Sequence, residues 1–134
     1  FLIDGDLYQA LRACAVGGLS SVRITARAQS CVSVVLTSKR YPGSYDKGKV
    51  ITGIDEALAS DPDVDVYHAG TSLASDGRLL TNGGRVLAVS GWADTLKGAV
   101  ERAYRAADVI GFEGKTMRRD IAAKGLARLT GHVS

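Results

Sequence analysis

Two turn signals, Asp76-Gly77 and Asn82-Gly83, divide the middle of the chain into short segments. Asn, Asp and Gly tolerate the positive φ angles that tight turns between antiparallel strands require. The apolar segment RLLT precedes the second signal, and the apolar segment GRVLAVS follows it. The sequence therefore predicts that these two segments pair as antiparallel strands across Asn82-Gly83 and form a hairpin over residues 78–90.

Apolar and β-branched runs predict further short strands on both sides of this hairpin. CVSVVLTS at 31–38 is typical of a buried strand, VRITA at 22–26 alternates apolar and polar residues, and VDVYHAG at 64–70 is a third strand signal. Short helices are predicted over 53–60 and around 121–129. Strands that alternate with crossover helices are missing, which disfavours a doubly wound parallel sheet. Short strands separated by turns favour a small curled antiparallel sheet or a partial barrel.

One long helix is predicted after the hairpin. Apolar residues from Leu96 to Ile110 recur at spacings of three and four, which places them on one face of a helix. Asp94 or Thr95 can cap its first turn, and Gly111 can end it. Antiparallel strands with one long packed helix define an α+β fold.

A first helix is predicted near the start of the chain, where Asp4 or Asp6 can cap it and Gly17-Gly18 can end it. Its apolar stripe consists of Leu7, Leu11, Cys14 and Ala15. The two cysteines, Cys14 and Cys31, lack metal-ligand spacing. Both are therefore predicted to be buried reduced thiols of an intracellular, cytoplasmic protein.

The composition fits one domain of a globular protein. The 134 residues are 46% hydrophobic, with 17 basic and 14 acidic residues and a formal net charge of +3. No apolar run approaches the roughly 20 residues that a membrane helix needs, so no membrane partner is predicted. The aromatic content of 6% provides no stacking platform, and the basic residues form no continuous stripe, so nucleic-acid binding is disfavoured.

Common catalytic motifs are missing from the chain. It has neither a GxSxG nucleophile motif nor a GxxxxGK[ST] phosphate loop. His68 lies in a predicted strand and has no histidine or cysteine at ligand spacing, so a packed structural residue is favoured and no metal site is predicted. The acidic residues between 55 and 65 fit a solvated turn and helix start. No catalytic residue is therefore assigned, and a self-sufficient active site is not expected.

The segment SKRYPGSYDKGKV, residues 38–50, is called the basic loop. It carries four basic residues and one acidic residue, so its net charge of +3 equals that of the whole chain. Glycines allow backbone N–H groups to approach an anion, and neighbouring Lys or Arg side chains add charge-assisted hydrogen bonds. Lys47 and Gly48 in this loop, and Arg85 in the NGGR segment, satisfy this description. A solvated basic turn and a plain hairpin with an exposed arginine remain open as alternatives.

Four blocks follow one another along the chain: YPGSYDKGKVITG, VYHAGTS, GRLLTNGGRVLAVSGWADTLKGAVERAYRAAD and IGFEGKTMRRDI. In order and spacing they resemble the carboxy-terminal domain of the glycinamide ribonucleotide synthetases, also called phosphoribosylamine–glycine ligases. The resemblance runs from about residue 5 to residue 122. It implies that residues 1–19 form the last helix of an ATP-grasp region or a linker. Residues 20–134 would then form the C-terminal domain, a partial barrel similar to the barrel-sandwich hybrids of ATP-grasp enzymes.

The resemblance implies an ATP-dependent ligase that joins glycine to 5-phosphoribosylamine in de novo purine biosynthesis. In that family ATP phosphorylates the glycine carboxylate, the amine of phosphoribosylamine attacks, and Mg²⁺ (or Mn²⁺) neutralises phosphate charge. ATP and metal would be held mainly by the ATP-grasp portion, whose F-G-D-P-E-T segment is missing from this sequence. The chain is thus expected to supply one wall of the substrate cleft and to be inactive alone.

The resemblance also implies site residues, because the family's Y-P-x-x-Y-x-K-G loop faces the phosphoribosyl substrate. Carried over to this chain, the loop residues are Tyr41, Pro42, Tyr45, Lys47 and Gly48. Lys47 would neutralise the 5′-phosphate, Gly48 would allow close approach of the backbone, and the tyrosines would flank the ribose.

Arg85 is a second candidate for phosphate or nucleotide charge, since its position resembles basic hairpin residues of other ATP-grasp enzymes. His68, Gly70 and Thr71 of the H-A-G-T block would support the site from behind. The alternative function is a detached, non-catalytic interaction module with the same fold.

Overall fold

The computed structural model describes residues 2–131, which form eight strands, four α-helices and one 3-10 turn at Leu19–Ser21. The strands are β1 (Ile3–Asp4), β2 (Thr25–Ala26), β3 (Ser30–Ser38), β4 (Val64–His68), β5 (Thr71–Leu73), β6 (Leu79–Thr81), β7 (Arg85–Ala93) and β8 (Lys115–Thr116). The helices are α1 (Leu7–Val16), α2 (Ile54–Ser60), α3 (Leu96–Val109) and α4 (Ala123–Leu129). The strands assemble into one four-stranded sheet and two two-stranded ribbons.

The four-stranded sheet has the order β4-β7-β3-β8, and all of its neighbouring strands are antiparallel. Side chains alternate along β3, where Val32, Val34 and Leu36 are buried whereas Ser33 and Val35 are exposed. One face of the sheet is therefore the core face. The opposite face, which carries Ser33 and Val35 of β3 and the residues beside them on β7, is called the open face below.

Helix α3 packs on the core face, and small side chains allow a close approach. Thr95 caps the helix by accepting a hydrogen bond from the Gly98 N–H (3.1 Å). Its buried residues are Ala99, Ala103, Ala106 and Ala107. A Cβ on Gly91 of β7 would lie 2.7 Å from the backbone nitrogen of Ala103, so glycine is required at this crossing. The predicted long helix is confirmed, and of its two candidate caps the structure uses Thr95.

The hairpin predicted over 78–90 is wrong. Strand β6 instead pairs with β5 across the Asp76-Gly77 signal, where Gly77 has a φ of 84°. Both edges of β7 are occupied by β3 and β4, so β6 has no edge of β7 on which to pair. Neither Asn82 nor Gly83 adopts the positive φ of a primed turn, and the Asn82 N–H donates to the Gly70 carbonyl oxygen (2.7 Å).

Helix α1 begins and ends where the sequence predicts. The Asp6 side chain accepts a backbone hydrogen bond of 3.0 Å in the first turn, and Gly17 ends the helix with a φ of 77°. Its apolar stripe is not buried, since α1 contacts mainly the 3-10 turn that follows it, and Leu11 is 62% exposed. The prediction of a buried thiol is wrong for Cys14, which is exposed. Cys31 is partly buried, and this burial raises the pKa of its thiol.

The other predicted elements are largely confirmed. The signals at 31–38, 53–60, 64–70 and 121–129 correspond to β3, α2, β4 and α4, whereas only the last two residues of 22–26 lie in a strand. The fold is α+β as predicted, and no closed barrel is present among the residues that the structure describes. Within the same residues, no helix combines the length and the apolar character needed to cross a bilayer.

Candidate functional site

Two cavities lie on the open face and share three lining residues. The first, of about 470 Å³, has mostly apolar walls and is called the apolar cavity; its lining is Ser33, Val35, Thr37, Tyr41, Arg85, Thr116, Met117, Arg118 and Ile121. The second, of about 590 Å³, is called the glycine cavity; its lining is Val35, Tyr41, Tyr45, Ala69, Gly70, Gly84, Arg85, Leu87 and Ala88. A ligand on this face therefore meets Tyr41 and Arg85 in either cavity.

Tyr41 reaches this junction because the chain turns sharply after β3. Arg40 has a φ of 71°, and the Tyr41 N–H donates to the Ser38 carbonyl oxygen (3.1 Å). The Tyr41 ring lies directly against Gly84, where a Cβ would overlap it. The ring of Tyr45 follows at a centroid distance of 6.2 Å, so the two tyrosines form one wall. Pro42, joined to Tyr41 by a cis peptide bond, is exposed and lines neither cavity.

Arg85 is the first residue of β7. Its backbone is fixed by hydrogen bonds, whereas its side chain makes none with the described residues. The Gly70 N–H donates to the Arg85 carbonyl oxygen (2.9 Å), and a Cβ on Gly70 would lie 2.6 Å from that oxygen. The side chain is exposed, and its guanidinium group has no hydrogen bond or ion pair with any of residues 2–131. Its charge is therefore not neutralised by any side chain within this part of the chain.

The second half of the basic loop is anchored to the β5–β6 ribbon. Gly48 has a φ of 76°, and its N–H donates to the Thr81 carbonyl oxygen (2.7 Å), so this N–H is not free for a ligand. Lys49 forms an ion pair with Glu113 at 2.8 Å, a contact that raises the pKa of the lysine. Lys47 is exposed and unpaired within the described part of the chain, and it lines neither cavity. Of these two lysines, Lys47 alone has a charge that the protein leaves uncompensated.

The three residues of the H-A-G-T block do not lie together. Gly70 lines the glycine cavity behind Arg85. His68 pairs with the core-face residue Leu87, so its side chain points to the other side of the sheet, where it lines a separate cavity of about 550 Å³ beside α2. The His68 Nδ1 lies 3.1 Å from the Thr71 hydroxyl oxygen. The structure thus brings Gly70 to Tyr41 and Arg85, but not His68 and Thr71.

Several lining residues have little or no sequence signal. The alternation of β3 could have placed Val35 and Thr37 on the open face. Nothing in the sequence points to Met117 and Ile121, which reach the apolar cavity because β8 pairs with the end of β3 through Thr37 and Ser38. Such a pairing between distant segments is decided by tertiary structure.

The site suits an anion better than a metal ion. Within residues 2–131, no group of three or more His, Cys, Asp or Glu side chains is positioned to bind a metal. The acidic residues Asp61 and Asp63 form ion pairs with Arg102 on the helix side. The open face instead presents Arg85 beside Tyr41, a pair that can neutralise phosphate charge and pack against a sugar.

The fold and the site define a small α+β domain whose open face presents Arg85 beside Tyr41. Residues 31–124 match the family model described as phosphoribosylglycinamide synthetase, C domain. The match covers more than half of the chain, and the chain therefore belongs to this family.

The sequences and the structure of individual relatives support the same family assignment. The phosphoribosylamine–glycine ligase of Chlorobaculum tepidum is 46% identical over 125 residues, which are 93% of this chain and 29% of the relative. The human trifunctional purine biosynthetic protein adenosine-3 is 39% identical over 129 residues, which are 96% of this chain and 12% of the relative. A crystal structure of phosphoribosylamine–glycine ligase from Thermotoga maritima has a TM-score of 0.65 and 34% identity, covering 84% of this chain and 27% of that one. The chain thus spans less than a third of the length of these relatives.

Proposed function

We propose that the chain is the C-terminal part of a cytoplasmic phosphoribosylamine–glycine ligase, which joins glycine to 5-phosphoribosylamine in an ATP-dependent reaction of de novo purine biosynthesis. The chain would form one wall of the substrate cleft, and an ATP-grasp portion of the same enzyme would form the other. The observation that carries this proposal is the unpaired guanidinium group of Arg85 at the junction of two cavities on the open face.

In this proposal the phosphate of 5-phosphoribosylamine binds to Arg85 in the glycine cavity, and the ribose packs against the wall formed by Tyr41 and Tyr45. Lys47, which lies outside both cavities, adds positive charge to the same loop. A guanidinium group can donate two parallel hydrogen bonds to a phosphate, which gives orientation as well as charge neutralisation. Gly70 and Gly84 keep the glycine cavity free of side chains beside Arg85. When bound, ATP supplies the phosphoryl group and Mg²⁺ (or Mn²⁺) neutralises its charge, and the ATP-grasp portion would hold most of both.

We also propose the domain division that the family resemblance implies, with residues 1–19 as the last helix of the ATP-grasp region or a linker and residues 20–134 as the C-terminal domain. Two observations support it. The apolar side chains Leu7, Leu11 and Val16 of α1 are 50%, 62% and 68% exposed. The chain exposes 8655 Å², whereas a compact monomer of its mass exposes about 6,700 Å². The difference, about 2,000 Å², is larger than the roughly 800 Å² that one partner buries in a standard interface.

The finer fold assignment, a partial barrel of the barrel-sandwich-hybrid kind, belongs to the same proposal. The basic loop links the four-stranded sheet to the β5–β6 ribbon, since Val50 bridges to Leu80 and the Thr81 N–H donates to the Lys49 carbonyl oxygen (2.8 Å). These contacts are consistent with strands that continue around one curved core.

The test is Arg85→Ala in the complete enzyme, with ribose 5-phosphate as a stable probe in isothermal titration calorimetry. Loss of hydrogen bonds to a charged group is expected to weaken binding by about 10- to 100-fold. The matched control is Arg128→Ala, an exposed arginine on α4 outside both cavities, which is expected to leave the affinity unchanged.

Two results would contradict the assignment. If Arg85→Ala weakens binding of a non-hydrolysable ATP analogue but not of ribose 5-phosphate, Arg85 serves the nucleotide. If the unmodified enzyme binds neither ligand, the chain is a non-catalytic interaction module.

A further inference from the structure

Gly84 is buried and has no conformational need to be glycine, because its φ lies outside the positive range. The missing side chain leaves space for the Tyr41 ring. A Cβ at position 84 would overlap Cδ2 of the Tyr41 ring, and the ring atoms Cε2 and Cγ would lie 2.6 and 3.0 Å from it. The Tyr41 ring therefore occupies the volume that any other residue at position 84 would fill.

Ser38, the last residue of β3, holds both partners of this contact. Its N–H donates to the Gly84 carbonyl oxygen (2.8 Å), and its hydroxyl donates to the Gly83 carbonyl oxygen (2.9 Å). Its own carbonyl oxygen accepts the hydrogen bond from the Tyr41 N–H (3.1 Å). Ser38 is only 4% exposed, so these bonds are protected from water. One buried serine thus fixes the backbone at Gly83-Gly84 and the start of the turn that carries Tyr41.

We propose that Gly84 and Ser38 are positioning residues, which hold the Tyr41 ring as the wall between the apolar cavity and the glycine cavity, beside Arg85. The inference rests on the proposed function of the open face, and it assigns the separation of the two cavities to residues that act through the Tyr41 ring. Tyr41 lines both cavities, so a displacement of its ring changes the shape of each. The sugar phosphate in the glycine cavity would then lose its packing against the ring.

A methyl group at position 84 is expected to move the ring rather than the backbone. The backbone of Gly84 is held by Ser38 on one side and is followed directly by β7, which is paired on both edges. The Tyr41 ring belongs to a side chain that is 40% exposed and can rotate towards solvent. The cost of Gly84→Ala should therefore fall on ligand binding more than on folding.

A structural test uses 3-fluorotyrosine at position 41 of the complete enzyme, observed by ¹⁹F NMR without ligand. Gly84→Ala is expected to shift this resonance. The control is Gly18→Ala, because Gly18 lies outside the site. Its φ is −102°, and an added Cβ would have no atom closer than 3.9 Å, so the methyl group fits without strain. This variant should leave the resonance unshifted. If Gly84→Ala does not fold, Ser38→Ala replaces it, since it removes only the hydroxyl hydrogen bond to Gly83. An unmoved resonance in the folded variant overturns the proposal.

A binding test uses a double-mutant cycle with ribose 5-phosphate as the titrated probe. Gly84→Ala is expected to weaken binding about tenfold when Tyr41 is present, because a misplaced wall disturbs the bound geometry. In a Tyr41→Ala background, where there is no ring to displace, Gly84→Ala should have almost no further effect. In kinetics the same variant should raise KM for phosphoribosylamine and leave KM for ATP unchanged.

The outcomes separate this inference from the function on which it rests. Equal effects of Gly84→Ala with and without the Tyr41 ring overturn the positioning role. A wild-type enzyme that fails to bind ribose 5-phosphate overturns the proposed function, whereas a shifted ¹⁹F resonance in that same enzyme still supports the control of the Tyr41 ring by Gly84.

Discussion

The two faces of the four-stranded sheet differ in how their charges and their packing are satisfied. On the core face, Gly91 meets the backbone of α3 so closely that a single methyl group has no room. At the edge of this face, Arg102 bonds to Asp63 and donates to the Trp92 carbonyl oxygen (2.9 Å). On the open face, Arg85 has no partner among the described residues, and the neighbouring Val35 is 38% exposed.

We infer from this difference that one face mainly stabilises the fold and the other mainly binds a ligand. A close-packed face with paired charges stabilises the fold, because each group there is already satisfied by the protein. A face with an unpaired cation and open cavities contributes less to folding and leaves its interactions to a ligand. Substitutions on the core face should therefore change stability, whereas substitutions on the open face should change binding.

The largest expected effect is that of Gly91→Val. The new side chain would clash with the backbone of Ala103, so the free energy of unfolding should fall by about 3 kcal/mol. The matched change on the open face is Ala88→Val, which should cost less than about 0.5 kcal/mol. Urea denaturation measures both values, and equal costs would remove the distinction between the faces.

Arg102→Met should have the next largest effect, a lower free energy of unfolding, because hydrogen bonds between charged and polar groups are lost. It removes the bonds to Asp63 and Trp92 and leaves Asp61, whose side chain is 13% exposed, without its nearer cation. The control is Arg105→Met, because Arg105 is 65% exposed and its contact with Asp61 is 3.9 Å long. Its cost should be below about 0.5 kcal/mol. If the two substitutions lower the free energy of unfolding equally, the contacts of Arg102 with Asp63 and Trp92 do not stabilise the packing of α3.

Lys47→Ala should act on binding alone. In the complete enzyme, KM for phosphoribosylamine should rise by about three- to tenfold while KM for ATP stays nearly unchanged, because an exposed cation contributes about 1 kcal/mol. The neighbouring Lys49, already paired with Glu113, provides the control, and Lys49→Ala should change KM less. An equal rise of KM for ATP would instead assign Lys47 to the nucleotide.

The smallest expected effect is a pH dependence at the end of α3. Two hydrogen bonds from Arg119, of 2.6 and 3.1 Å, lower the pKa of Asp108 in the folded protein. An aspartate whose pKa is lowered by folding stabilises the folded protein at pH values above its pKa in the unfolded chain, which is near 4. This contribution disappears as the pH falls through the pKa of the folded protein. Because the pair is exposed, Arg119→Gln should lower the free energy of unfolding only slightly at pH 7. Denaturation at about pH 7 and pH 3 should show a larger cost at the higher pH; a cost that does not change with pH would mean that Arg119 acts by packing.

The secondary structure was predictable where its causes are local. Thr95 caps α3, Gly17 ends α1 and Gly77 turns the β5–β6 hairpin through contacts within a few residues, so sequence patterns identify them. The pairing of strands has no local cause. Asn82-Gly83 is a strong hairpin signal, yet β6 and β7 do not pair, because β3 and β4 occupy both edges of β7.

The candidate site divides in the same way. Tyr41, Tyr45 and Arg85 were identified from the basic loop, the NGGR segment and the family blocks, and the structure brings them to one junction. That His68 faces the other side of the sheet follows from its register with Leu87, which the strand sequence alone does not contain. Their roles in substrate binding stay predictions until the variants are measured.

By itself, the sequence determined the helices, the four strand segments β3, β4, β6 and β7, the family and the residues that carry the excess charge, because capping, alternation and motif order are properties of neighbouring residues. The tertiary structure decided which strands pair, which side of the sheet stays open and why Gly84 has no side chain. These depend on contacts between segments far apart in the chain, such as the bond from the Ser38 N–H to the Gly84 carbonyl oxygen (2.8 Å). Only when such segments meet do Tyr41 and Arg85 lie on one surface.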